Sequence, residues 1–492
     1  MKDLSKELND ISEYKLGKKG VIVLILLTLV YLASYFYYSH KLLLLFFAGT
    51  ALTTLFLVKP RASFWLSAFP LIIIAGVRSF QFGEFNPAIV TIAMAVFLFI
   101  YVADRISLSK PLFVPSPYLT FFIIAMLIQV TSVFISIHHH EQYTWNAIRD
   151  GSSLFLFFPL AVMIPSICTT ESRIDQLLRA MMVSLLIAGA FGVFQFLTTT
   201  GFSRIDLGLG YVYRGRIAGF FMDNPNAFAS YLEMSVPLSI ALFFREKEVR
   251  WKITAVAAGI LGVLSVLYTF SRGGLICTFI GCGITLLYHF RSKVWLPLLL
   301  GVLAISILIS YKDTFDRQMS FIMDPKAHLS QPTILHRYIS YRGYFNQISE
   351  SPVTGVGWGA REYFWGRTVL YSFWEVRHCQ STQTIYEFGG LNSVFLNLLV
   401  KGGVIALVSI LLILGAVLAA FFKALRNRGG ILAVALTAGI FSFITHQFID
   451  NTFRSPAINA QFWLATGLIL ALGEFNREKS DTKKIEESGK CT

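Results

Sequence analysis

The chain has 492 residues, of which 55% are hydrophobic and only 14% charged, and its mean hydropathy is +0.62. Soluble globular domains carry about 25% charged residues, so composition excludes that class and predicts a polytopic membrane protein. The formal net charge of +14 raises nucleic acid as a partner, but the placement of the basic residues, described below, removes it.

The first 19 residues are charged and mixed, and no small-residue cleavage site follows the apolar run after them. The run at 20–38 therefore reads as an uncleaved first span. Apolar runs long enough to cross a hydrocarbon core about 30 Å thick recur after it. They predict spans near 20–38, 41–58, 62–79, 87–104, 117–137, 147–166 and 177–197, then 226–244, 252–270, 273–290, 295–311, 395–422, 431–449 and 457–473. The expected fold is all-α, with about 14 transmembrane helices (12–14). The 45 Phe and 20 Tyr suit lipid-facing and interfacial positions. Five cysteines form no C-x-x-C pair, so neither a disulfide framework nor a metal site is implied.

Short connections rich in Lys and Arg face the cytoplasm. With the N-terminus inside, Lys59, Arg61, Arg105, Lys110, Arg173, Arg179, Arg245, Lys247, Arg250, Arg291, Lys293, Lys423 and Arg426 all fall on that side. The basic excess is thus topological, and both termini come out cytoplasmic. Arg204, Arg214 and Arg216 fall outside, against the trend, as do Ser271–Gly274, the hydrophilic segment 312–390 and Asp450. An anionic ligand shared on the outer face is the simplest reason for arginines there.

Arg214–Asn226, RGRIAGFFMDNPN, stands directly before a span. Arginine offers fixed, planar donors to phosphate oxygens, and a lipid tail could remain in the bilayer beside it. Placement at a headgroup boundary is the plainer reading of two arginines on spacing alone. In the outer segment, Tyr338, Tyr341 and Phe345 recur at helical spacing beside Arg337 and Arg342, and Ser351-Pro352 ends that helix. The glycines of Pro352–Gly359, PVTGVGWG, read as a turn, because no strand precedes them as a dinucleotide fold requires. His138–Glu141 reads as an exposed loop rather than a metal site. Arg149-Asp150 reads as a paired charge at a span entry. Glu233 and Lys401 lie within spans, where ionisable groups face a cavity or a partner.

RGRIAGFFMDNPNAFASYL (Arg214–Leu232), SRGG (Ser271–Gly274), RYISYRGYFNQISESPVTGVGWG (Arg337–Gly359) and NSVFLNLLVKGG (Asn392–Gly403) occur in this order, followed by the turn at Asp450. Together they resemble the O-antigen ligase/polymerase superfamily of bacterial envelope glycan assembly, over roughly residues 200–455. Hydropathy and charge placement give a cytoplasmic segment 1–19, N-terminal helices 20–197 and a charged cytoplasmic tail 474–492, and the resemblance makes 198–473 a ligase/polymerase-like membrane domain with its large outer loop near 312–390. It implies a C-type glycosyltransferase of the bacterial plasma membrane, acting on a glycan carried by undecaprenyl diphosphate, with no cofactor and no metal. A flippase and a chain-length regulator are the implied protein partners, beside the bilayer and the lipid-linked substrate. The implied substrate-binding residues are Arg214, Arg216, Asn224, Asn226, Arg272, Arg337 and Arg342. Ligases of the family show His-Asn where this chain has Asn392-Ser393. An amide cannot take up a proton at neutral pH, so the base is expected elsewhere: Asp450 first, then His446, His378 or Glu387, with Asn392 retained as an orienting group. That departure favours a repeat-unit polymerase. A ligase that transfers the glycan to a lipid or wall anchor is one alternative, and a lipid-linked glycan flippase is another.

Overall fold

The computed structural model describes residues 62–75, 89–113, 116–139, 144–198, 216–221, 224–291, 341, 344–359, 393–427 and 429–474. All belong to one of the two compact units of the chain. Among them there are helices and turns and no strand. The helices are α1 (Ala62–Ala75), α2 (Ile89–Ser107), α3 (Pro117–His139), α4 (Thr144–Ser152), α5 (Phe158–Ile167), α6 (Glu171–Leu197), α7 (Pro225–Arg245), α8 (Val249–Tyr268), α9 (Arg272–His289), α10 (Val394–Arg426), α11 (Gly430–His446) and α12 (Pro456–Glu474). Seven described helices, α2, α3, α6, α7, α8, α10 and α12, are long and apolar enough to cross a membrane. The expected spans at 20–38, 41–58 and 295–311 lie outside the described residues.

The span expected at 147–166 is corrected. It is two short helices, α4 and α5, parted by turns at 153–157. Hydropathy alone could not see the break. Ser152 and Ser153 turn their hydroxyls onto the carbonyls of Arg149 and Asp150, and Pro159 starts the next helix. Serine hydroxyls compete with the helical ladder in this way, and proline suits a first turn. The loop expected at 138–141 is also corrected at its start, because α3 runs on through His139.

α7 is the centre of the bundle, packed against α8, α9 and α11. Small residues (Ala227, Ala229, Ser230, Ser235, Ser239) let its neighbours close in on it from several sides. Within 225–239 every residue except Asn226 is buried. One end of α7 is fastened by ions: Arg179 forks onto Glu246 at 2.9 and 2.8 Å, and Arg245 pairs with Glu171 at 2.9 Å and with Asp175. The other end carries the candidate site.

α10 is bent at Gly403, whose φ is +62°. The bend strips helical partners from the carbonyls of Val400 and Lys401. The backbone N–H groups of Val356 and Gly357 replace them at 2.8 and 3.1 Å. Gly355, at φ +70°, passes so close to the α10 backbone that a Cβ would stand 2.5 Å from the Lys401 carbonyl carbon. The glycine-rich string is thus a turn, as expected, and its glycines serve backbone-to-backbone docking. The helix before it ends at Glu350, directly ahead of Ser351-Pro352, also as expected.

Candidate active site

The site forms where α7 begins, α8 ends, α9 begins and α11 ends. Asn224 caps α7: its side-chain oxygen accepts from the N–H groups of Asn226 and Ala227 at 3.0 and 3.1 Å, and Pro225 follows at the first helical position. Asn-Pro-Asn is therefore a helix start rather than a free turn. Likewise SRGG is a cap plus a first helical turn. Ser271 accepts from Gly274 N–H at 3.4 Å, and Arg272 is the first residue of α9.

Arg216 is set by the end of α8. Ile217 N–H donates to the Tyr268 carbonyl at 3.2 Å, and Arg216 Nε donates to the Thr269 carbonyl at 2.8 Å. A helix C-terminus, with its unpaired carbonyls, favours a cation there. Gly219, at φ +54°, turns the chain inward, and its N–H donates to Gln195 Oε1 at 2.9 Å. Arg216 Nη2 then donates to Asn226 Oδ1 at 2.7 Å. Asn226 Nδ2 donates in turn to Asp450 Oδ2. One amide thus joins a guanidinium to a carboxylate, with its oxygen toward the cation and its nitrogen toward the anion. The other carboxylate oxygen of Asp450 accepts from Asn451 N–H at 2.8 Å.

Two further layers lie beneath Asp450, on the same face of α7. Ser230 bonds Thr452 at 2.8 Å, and Glu233 lies 3.1–3.2 Å from His446 Nδ1 through either oxygen. Positions 226, 230 and 233 follow the spacing of one helix face. His446 and Glu233 are both buried, the latter completely. Gly273 covers the imidazole: a Cβ there would come within 2.7 Å of His446 Cδ2 and 2.9 Å of Nε2.

The structure therefore brings together Arg216, Asn226, Asp450 and His446, with Arg272 beginning the helix that covers the imidazole. It places His446 in the interior beside Glu233 and Asn224 in a capping role. Arg214, Arg337, Arg342, Asn392, His378 and Glu387 lie outside the described residues. Sequence reasoning missed Ser230 and Thr452. The spacing of Ser230 between Asn226 and Glu233 was the available signal.

Residues 257–411 match the family model described as O-Antigen ligase. Over that stretch the chain is similar to the O-antigen ligase/polymerase superfamily. The match contains Arg272, Arg337, Arg342 and Asn392, whereas Arg216, Asn226, His446 and Asp450 lie beyond its ends. It supports a role of ligase or polymerase type in envelope glycan assembly, carried out by a multi-pass membrane protein. No curated protein matches the chain in sequence. A solved structure described as "Structural coordination of polymerization and crosslinking by a peptidoglycan synthase complex" is similar at a TM-score of 0.38 and 14% identity, over 72% of this chain and 96% of that one. That similarity is too slight to carry an argument about fold or activity.

Proposed function

We propose that this protein is a glycosyltransferase that joins undecaprenyl-diphosphate-linked repeat units into an envelope or exported polysaccharide at the outer face of the plasma membrane. The observation that carries the reading is the relay from Arg216 through Asn226 to Asp450. A hydroxyl of the acceptor sugar attacks the anomeric carbon of the donor. The bond from that carbon to the diphosphate breaks, a glycosidic bond forms, and the hydroxyl proton passes to the Asp450 carboxylate. Arg216 meets the charge that gathers on the departing diphosphate. Fixed guanidinium donors of this kind stabilise charge that develops on a leaving group. Arg272, with Arg214, Arg337 and Arg342, is assigned to the same anion, and Asn392 to the acceptor hydroxyl. The sidedness is supported by the cluster of Arg179, Arg245, Lys247 and Arg250 at the opposite end of α7, where the positive-inside tendency places the cytoplasm.

The family description favours a second reading, ligation of a finished glycan to an anchor. Purified protein supplied with lipid-linked repeat unit alone separates the two: a polymerase yields a ladder of lengths, and a ligase needs an added anchor. In the same assay Arg216→Lys and Asp450→Asn should each lose product while the protein still accumulates in the membrane. Loss of one preorganised charge-assisted donor costs roughly 10²–10³-fold in rate, and loss of a general base roughly 10²–10⁴-fold. Full activity in both variants would overturn the assignment.

A further inference from the structure

Arg454 stands four residues after Asp450, on the same turn between α11 and α12, yet it belongs to a different network. Its Nη2 donates at 2.8 Å to Asp150 Oδ1, near the end of α4. The other oxygen of Asp150 meets Lys401 Nζ, beside the bend of α10. The two cations on this carboxylate are not equivalent. The Lys401 side chain is 1% exposed, whereas that of Arg454 is 43% exposed. A buried ammonium is stranded without its carboxylate, so the pair of Lys401 with Asp150 is the fixed one. Arg454 is then a second cation on a charge that the first already balances. An ion pair so open to water contributes little to stability and is given up cheaply.

The surroundings favour an anion at this corner. Arg149, directly before Asp150, is exposed as well, so Arg149, Lys401 and Arg454 stand around one carboxylate. Asp450, across the turn, is tied through Asn226 to an arginine of its own, Arg216. Charge placement sets this corner on the outer face, where short connections otherwise carry few basic residues. The backbone beneath Arg454 is held: Gln447 Oε1 accepts from the N–H groups of Thr452 and Phe453, and Ser455 N–H donates to the Thr452 carbonyl at 2.9 Å. Nη2 is the one guanidinium nitrogen of Arg454 with an acceptor among the described residues. A guanidinium with donors to spare, a fixed base and a dispensable partner suits a planar pair of anionic oxygens, which it grips in bidentate fashion.

We infer that Arg454 is a substrate-binding residue that exchanges Asp150 for an acidic group of the glycan brought to Asp450, the carboxylate of an acidic sugar or a phosphate. The inference rests on the proposed transfer for the glycan, and on the arrangement of Asp150, Lys401 and Arg454 for the anion. Because Arg216 and Arg454 belong to separate networks, this anion is a second one, beside the departing diphosphate.

Full-length protein in phosphatidylcholine nanodiscs is titrated by saturation-transfer NMR with three probes: methyl glucuronide, methyl glucoside and methyl phosphate. The wild type should bind at least one of the two anionic probes, and more tightly than methyl glucoside. Arg454→Gln should weaken that binding about tenfold and leave methyl glucoside unchanged. Its thermal midpoint should stay near that of wild type, because Lys401 still balances Asp150. Arg454→Lys should recover part of the loss, since it keeps the charge without the planar fork. A loss confined to methyl glucuronide assigns an acidic sugar, and a loss confined to methyl phosphate assigns a phosphate; loss of both supports the anion site with either source. If neither anionic probe binds the wild type, or if Arg454→Gln binds both as wild type does, the inference is overturned. If anion binding follows Arg454 while no glycan transfer is detected, the anion site stands and the transfer reaction falls.

Discussion

Asn226→Ala is the sharpest test of the relay, because Asn226 is proposed to touch no bond that breaks or forms. The substitution deletes one acceptor for Arg216 Nη2 and one donor to Asp450. Hydrogen bonds to ionised groups contribute roughly 1.5–3 kcal/mol each. All three residues are part-buried, so water replaces some of the loss and the lower figure applies. Two such bonds sum to about 3 kcal/mol, which corresponds to roughly 150-fold in rate if both act in the transition state. The α7 cap survives, because it uses the side chain of Asn224 and only the backbone N–H of Asn226. The variant should therefore still insert and elute as one species from a sizing column. The assay is glycan length on a gel, from purified protein in nanodiscs supplied with lipid-linked repeat unit. Asn226→Asp should be no better than alanine, since it keeps an acceptor for Arg216 but offers Asp450 a like charge in place of a donor. Turnover of Asn226→Ala within threefold of wild type would refute the relay as the organising feature of the site.

Gly403→Ala should lower the thermal midpoint in detergent and the yield, because φ +62° strains an alanine and its Cβ would run into the Val353 carbonyl; the strain alone costs roughly 1–2 kcal/mol, and an unchanged midpoint would remove the bend from the account. Glu233→Gln, which keeps an oxygen for His446, should accumulate nearly as wild type, whereas Glu233→Leu should lose about 1–3 kcal/mol by stranding a buried imidazole; equal midpoints for the two would show that the pair holds nothing. Cys168, between α5 and α6, should resist a soluble maleimide at pH 7–8, since burial pushes its thiol up to about 12 against a smaller lowering by Arg173, and rapid labelling of the folded protein would contradict its placement.

Hydropathy made most of this fold legible, because a span declares itself by length. It failed where polarity is local. Residues 147–166 average as a span, yet two serines and a proline cut them into α4 and α5, and the cut places Asp150 where Lys401 and Arg454 can reach it. The span expected at 395–422 ran straight through Gly402-Gly403, where α10 bends, because the bend depends on a turn more than forty residues earlier in the chain. Among the site residues, Arg216 was legible as an arginine placed against the topological trend, and Asp450 as a carboxylate expected on the same side. Their union was not, because the contact that joins them spans 224 residues from Asn226 to Asp450. His446 was legible only as a titratable group near Asp450. Its burial beside Glu233 follows from the packing of α11 on α7, and no pattern along either helix states that register.

The register of α11 on α7 is what turns Asp450 from a loop residue into a fixed one. Gln447, fully buried, accepts from the N–H groups of Thr452 and Phe453 at 3.0 and 3.1 Å and donates to Thr452 Oγ1 at 2.9 Å, so the turn after α11 is closed from within. The same turn takes the first N–H of α10, from Val394 to the Gln447 carbonyl at 3.0 Å. Below it, Thr452 meets Ser230 and His446 meets Glu233, each one step further along the α7 face that begins with Asn226. Polar contacts between helices are retained in a bilayer because an unpaired group there has no water to turn to. Each contact in this ladder therefore resists sliding of α11 along α7, and sliding is the motion that would carry Asp450 away from Arg216. In the proposed transfer, a carboxylate and a guanidinium acting on opposite sides of one anomeric carbon need that separation held to a fraction of an ångström. The ladder of Thr452–Ser230 and His446–Glu233 contacts supplies it from inside the bundle.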